Sequence, residues 1–150
     1  MGFYQFKRTQ EIEKPLQDVW DFISDPSNLK VITPDYMGFD ITSKDIASKM
    51  YPGMIISYKV SPLLGIKLNW VTEITQVRDK KYFVDEQRVG PYKIWHHQHI
   101  LEASENGTLM TDIVSYKPPF GILGNLANPI IKNKLKEIFD YRSKVISNIF

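Results

Sequence analysis

The chain has 150 residues, 43% of them hydrophobic and 24% charged, and a formal net charge of only +2. That length suits one domain over residues 1–150 that buries its own core, and the weak charge, with no basic stripe, argues against a nucleic-acid partner. There are no cysteines, which excludes disulfides, thiolate catalysis and zinc–thiolate centres and agrees with a cytoplasmic setting.

The opening stretch, MGFYQFKRTQEIEK, alternates and is charged, unlike a signal peptide. No apolar run approaches the ~20 residues of a membrane span, so no stable membrane insertion is expected. Aromatic residues make up 13% of the chain, a richness that favours a cavity lined by rings.

Phe3 to Ile12 predicts a first strand. Pro15 suits the start of a helix, and Leu16, Val19, Trp20 and Ile23 follow at helical spacing. Asp25-Pro26 stops that helix. A second short helix is predicted over Ser27 to Val31, ended by Thr33-Pro34. Strands are expected at Phe39–Thr42, Met54–Val60, Ile66–Val77 and Tyr82–Val89, with Pro62 to Gly65 as one connection and Asp79-Lys80 as a turn.

Val89 to Gly121 predicts a long hairpin turning at Asn106-Gly107, with Glu105 facing Thr108. Counting outward pairs Leu101 with Asp112, His99 with Val114, and His97 with Tyr116. One face then carries Trp95, His97, His99, Leu101, Met110, Asp112, Val114 and Tyr116. Being the bulkier, it is placed on the concave side of the sheet. Pro118-Pro119 ends the hairpin, and Gly121 to Asn128 reads as a flexible lead-in. A helix from Pro129 follows, with Ile131, Leu135, Ile138, Phe139, Val145, Ile146 and Ile149 on one face and Lys132, Lys136, Asp140 and Ser143 opposite.

Strand, two short helices, six strands and a long helix predict an α+β fold. A curved antiparallel sheet of about seven strands grips the C-terminal helix, with a pocket between them. This order, with particular residues, resembles the SRPBCC (START, Bet v 1-like, polyketide cyclase-like) superfamily of helix-grip proteins. The stretch Pro15 to Leu29, PLQDVWDFISDPSNL, is similar to its opening helix and turn. Gly90-Pro91 with Trp95, His97 and His99 resembles the G-P…W-x-H-x-H strand of a bacterial ligand-binding subgroup. Asp112, Tyr116 and Pro119-Phe120-Gly121 resemble that subgroup's next strand, and Phe139 to Arg142 its last helix. The resemblance implies a hydrophobic cavity in a fold used by lipid carriers, hormone receptors, ubiquinone-binding proteins and polyketide cyclases.

Several residues bear on chemistry. Asp112 is expected diagonal to His99, either orienting an imidazole for general base work or forming a self-satisfied buried pair. The second reading is preferred. Strand parity turns His96 away from His97 and His99. Those two with Asp112 could form a two-His, one-carboxylate set, but without a recognised spacing signature, so neither a metal nor a cofactor is expected. Arg142 falls in the middle of the last helix's apolar stripe. It is read as a ligand-carboxylate anchor or, in preference, as a structural ion pair with Asp112 or Asp85. Trp70 and Phe83 lie on central strands, as core or cavity wall.

The function expected is therefore binding or carriage of a small, largely hydrophobic molecule. Its ligand set is Trp95, His97, His99, Asp112, Tyr116, Arg142, Trp70 and Phe83, with no catalysis implied. The alternatives are a cyclase- or dehydratase-like enzyme using His99 and Asp112, and a lipid-handling module acting at a membrane surface through Pro118 to Ile131.

Overall fold

The first strand, β1 (Tyr4–Ile12), is alternately half-buried and exposed along its length, the period-2 signature of a strand with one wet face. In the computed structural model, which describes residues 2–62 and 65–150, β1 pairs antiparallel with the last strand rather than with its sequence neighbour. Helix α1 (Leu16–Ile23) begins directly after Pro15 and buries Val19, Trp20 and Ile23. Asp25 then accepts a 3.0 Å bond from the Ser27 amide and caps a 3-10 turn, Pro26–Leu29, in place of the short helix expected to reach Val31. A second 3-10 turn spans Asp35–Met37.

The remaining strands are β2 (Asp40–Ile41), β3 (Met54–Val60), β4 (Leu68–Arg78), β5 (Tyr82–Val89), β6 (Ile94–Ser104) and β7 (Gly107–Lys117). The connection expected over Pro62 to Gly65 lies partly outside the described residues. One antiparallel sheet results, in the order β1-β7-β6-β5-β4-β3-β2. Two register shifts between β4 and β5, at Val71/Thr72 and Ile74/Gln76, are bulges of the kind that bend a strand and deepen its twist.

Helix α2 (Gly121–Ile149) lies along the concave face, burying Ile131, Leu135, Phe139 and Ile146 against it. Ile149 is largely exposed, so the apolar stripe stops one turn short of the expected end. The helix also starts eight residues before Pro129, so Gly121 to Asn128 is its first two turns and not a flexible lead-in. Packing explains this. A Cβ on Gly124 would collide with the Pro119 carbonyl oxygen, so this glycine lets the first turn of the helix pass close to the chain that leads into it. The hydroxyl of Tyr116 donates a 2.7 Å bond to Asn128 Oδ1 and ties the same turn to β7. Among the described residues, no helix is long and apolar enough to cross a membrane.

The hairpin β6–β7 differs from expectation by one residue at its turn. Glu105-Asn106 forms the turn, and Ser104 faces Gly107. Each cross-strand pair is therefore displaced by two: His99 faces Asp112, His97 faces Val114, and Trp95 faces Tyr116. Gly107 sits where the chain leaving β1 comes so close that any Cβ would strike the Ile12 carbonyl. The glycine is needed there more than at the turn. A slip of two preserves parity, so His97, His99, Leu101, Met110, Asp112, Val114 and Tyr116 are all buried on one face.

Candidate functional site

Between the sheet, α2 and the Asp35–Met37 turn lies a cavity of about 130 Å³. Its walls are mainly aromatic and aliphatic, and Trp70, Phe83, Trp95, His97, His99 and Arg142 all line it. The rings reinforce one another: Trp70 meets Trp95 edge to face at 5.3 Å, and Tyr92 packs on Trp95 at 4.9 Å. Such contacts hold the wall rigid at little entropic cost.

Three neighbouring strands supply a polar floor. Asp85 on β5 faces His97 on β6, and His99 on β6 faces Asp112 on β7. The shortest bonds run on the diagonals. His97 Nε2 donates to Asp112 Oδ1 at 2.8 Å, and His99 Nε2 donates to Asp85 Oδ2 at 2.6 Å. His99 Nδ1 lies 3.2 Å from Asp112 Oδ1, and His97 Nδ1 lies 3.6 Å from Asp85 Oδ2. Carboxylate and imidazole thus alternate around a closed four-membered ring. Phe83 stacks on His99 at 4.0 Å and keeps water from its face.

Burial alone would raise the Asp112 carboxyl. Hydrogen bonds from both imidazoles prevail and hold it far below the usual carboxylate range. Asp85 is lowered as well, with burial outweighed by His97, His99 and the Arg142 charge. The two imidazoles separate. Burial and the nearby His99 charge push His97 down, whereas hydrogen bonds to Asp112 and Asp85 overcome burial and push His99 up. Both carboxylates are thus held in their charged form, and of the two imidazoles His99 holds its proton the more tightly.

Arg142 supplies the opposite charge from α2. Its guanidinium stands 4.7 Å over the Phe139 ring, and its Nε is buried without a hydrogen-bond partner. The expected ion pair with Asp85 or Asp112 does not form: among the described residues no acid lies within 4.0 Å of Arg142, although its charge acts on Asp85 across the cavity. At the rim, the Tyr36 hydroxyl donates to Glu137 at 2.7 Å, and Lys134 stands 5.1 Å over the Tyr36 ring. Burial and the Glu137 carboxylate push the Tyr36 hydroxyl up to about 12.

Two residues of the sequence-derived set sit off the cavity surface. Asp112 is 2% exposed and lies behind the imidazoles, touching the cavity only through them. Tyr116 spends its hydroxyl on Asn128 and packs under α2. Asp85, which the sequence suggests only as an arginine partner, lines the cavity. It lies two residues after Phe83 on β5, so strand parity alone put it on Phe83's face. Tyr58, Tyr92, Phe39 and Met37 also line the wall. They come from strands and turns that no single motif links.

Curved sheet, gripping helix and a largely apolar interior cavity with a polar floor define a helix-grip protein built to enclose a small molecule. The chain belongs to the polyketide cyclase/dehydrase and lipid transport family, an SRPBCC-type family whose sequence model matches residues 12–139. The narrower bacterial subgroup rests on the motif resemblance alone. Solved structures share the fold. Protein Ms6760 from Mycobacterium smegmatis is 19% identical with a TM-score of 0.69, over 97% of this chain and 89% of that one. A protein from Arthrobacter aurescens is 18% identical with a TM-score of 0.72, over 96% and 86%. Ara h 8.0201 is 14% identical with a TM-score of 0.62, over 97% and 98%. No curated protein matches the sequence. The family and the cavity together support ligand binding as the general role.

Proposed function

We propose that the protein binds and carries a small, largely apolar molecule with one anionic end, without transforming it. The observation that carries this reading is Arg142, a cavity-facing guanidinium whose buried Nε has no partner. A buried donor left without a hydrogen bond costs about 1–3 kcal/mol unless something completes it, and a carboxylate matches the guanidinium fork. Lys134, paired with Glu137 at 3.4 Å, also lines the cavity. The aromatic wall takes the apolar body. Binding is favoured over proton transfer because a general base must offer a free nitrogen. Here three of the four ring nitrogens lie 2.6–3.2 Å from Asp85 or Asp112, the fourth, His97 Nδ1, faces the Asp85 carboxylate at 3.6 Å, and Asp112 is sealed away from the cavity.

Trp70 and Trp95 line the cavity, so tryptophan fluorescence reports on filling. Octanoate is expected to bind about 10- to 100-fold more tightly than octanol, the worth of a hydrogen bond to a charged group. The preference should vanish in Arg142→Met. Equal affinity for acid and alcohol in the wild-type protein would reject the anionic end, and no saturable binding of either would reject the cavity as a ligand site.

A second reading has its own observation. Phe120, Ile122, Leu123, Leu126 and Ile130, at the start of α2, are 62–80% exposed, a cluster larger than scattered surface apolars require. We propose that this face rests on a lipid surface while the ligand is exchanged. Sedimentation with anionic liposomes should fall sharply in the Ile122→Glu, Leu126→Glu variant. Equal sedimentation of both proteins would sink the idea.

A further inference from the structure

We propose that Asp85, His97 and His99 form a binding site for a divalent transition-metal cation, opening into the cavity. Their donor atoms lie within 4.8 Å of one another, and all three residues line the cavity wall. The inference goes beyond the organic ligand and does not depend on it.

Geometry singles out these three. His97 commits its Nε2 hydrogen to Asp112, which turns the Nδ1 lone pair towards Asp85 Oδ2 at 3.6 Å. Two acceptors then face each other with no proton between them, a gap that a cation fills. His99 Nε2 stands 2.6 Å from the same carboxylate oxygen and becomes a third donor once its proton leaves. Ligands bound at about 2.0–2.2 Å place neighbouring donors roughly 3–3.5 Å apart, so the observed 2.6 and 3.6 Å spacings need only small side-chain shifts.

Asp112 completes the arrangement from behind. A metal-bound histidine nearly always gives its other ring nitrogen to a carboxylate, which fixes the tautomer and raises basicity. Asp112 Oδ1 lies against the far nitrogen of both rings, 2.8 Å from His97 and 3.2 Å from His99. Charge agrees: two carboxylates and two neutral imidazoles match a divalent ion. Two imidazoles and one carboxylate on one face, with open positions towards a cavity, suit zinc, cobalt or ferrous iron, not the oxygen-seeking magnesium and calcium.

The chain has only three histidines and no cysteine, which makes the test clean. His96 points to the opposite face and pairs with Glu86 at 3.0 Å, serving as an internal control. With histidine-selective nitrogen-15 labelling, cobalt(II) should shift and broaden the ring signals of His97 and His99 but spare His96. Zinc should displace the cobalt, and magnesium should do nothing. Asp85→Asn should abolish the effect, and Asp112→Asn should weaken cobalt binding about 10- to 100-fold. If neither variant folds, the wild-type spectrum decides alone. Signals of His96 moving instead, or all three staying fixed under excess cobalt, would overturn the site.

Discussion

Strands β5 and β6 carry carboxylate and imidazole on both faces, and the two faces obey different rules. Outside, Glu86 meets His96 at 3.0 Å and Arg88 at 3.4 Å, each about a third or more exposed. Inside, on the opposite face, Asp85, His97 and His99 close a ring with Asp112 of β7, with side chains 3–16% exposed. Water screens the outer pairs and competes for their hydrogen bonds, so they contribute little. The inner ring has no water to fall back on. Every partner depends on the others, and charge lost at one corner is felt at all four.

The largest expected break in this contrast is Asp112→Asn, which leaves two imidazoles to a single carboxylate. Urea unfolding should show a loss of about 3–5 kcal/mol, the range for removing one partner of a buried ion pair. A loss below about 1 kcal/mol would mean the ring is not a unit.

A pH series with a chelator present sharpens the same contrast. At His99, hydrogen bonds to Asp112 and Asp85 and their charges overcome burial, and its raised value means the fold gains stability while His99 holds its proton. That contribution is complete below the unfolded histidine value of about 6.5 and is lost as pH rises through the folded value. His97 acts oppositely: its lowered value means the unfolded chain takes up a proton that the fold refuses, so stability falls as pH drops below about 6.5. The two depressed carboxylates add a further loss under strong acid. Stability measured by thermal unfolding should therefore peak near neutrality and decline on both sides. A flat profile from mildly acidic to mildly alkaline pH would contradict the split between the two rings.

The smallest effect belongs outside. Glu86→Gln should change stability by less than about 1 kcal/mol, with an unaltered pH profile. A cost comparable to that of Asp112→Asn would erase the distinction between the faces.

Much of this was readable from the residues. Period-2 parity separated His96 from His97 and His99 and put Asp112 on their side, even though the turn was placed one residue late. Parity survives a two-residue slip, whereas individual pairings do not. Gly107 looks like a turn residue, but its role is to admit the backbone after β1, a contact between distant parts of the chain. Gly121 to Asn128 looks like a loop because of Gly124 and Pro129, yet Gly124 is what lets the helix begin close against the Pro119 carbonyl just before it. Asp85 could have been found, since it shares its strand face with Phe83. That Arg142 has no acidic partner among the described residues could not, because it depends on the distance between α2 and β5.

The central claim is that the charge on Arg142 is left for a ligand and not spent on the fold. The direct measurement is the stability of Arg142→Met alongside its response to octanoate. The account predicts no loss of stability, because removing an orphaned buried donor offsets the lost contact with the Phe139 ring and the lost pull on the Asp85 carboxylate. It also predicts that octanoate raises the unfolding temperature of the wild-type protein and leaves that of the variant unmoved. A loss of about 3–5 kcal/mol without octanoate, as for a broken buried ion pair, or an equal response of both proteins to octanoate, would contradict it.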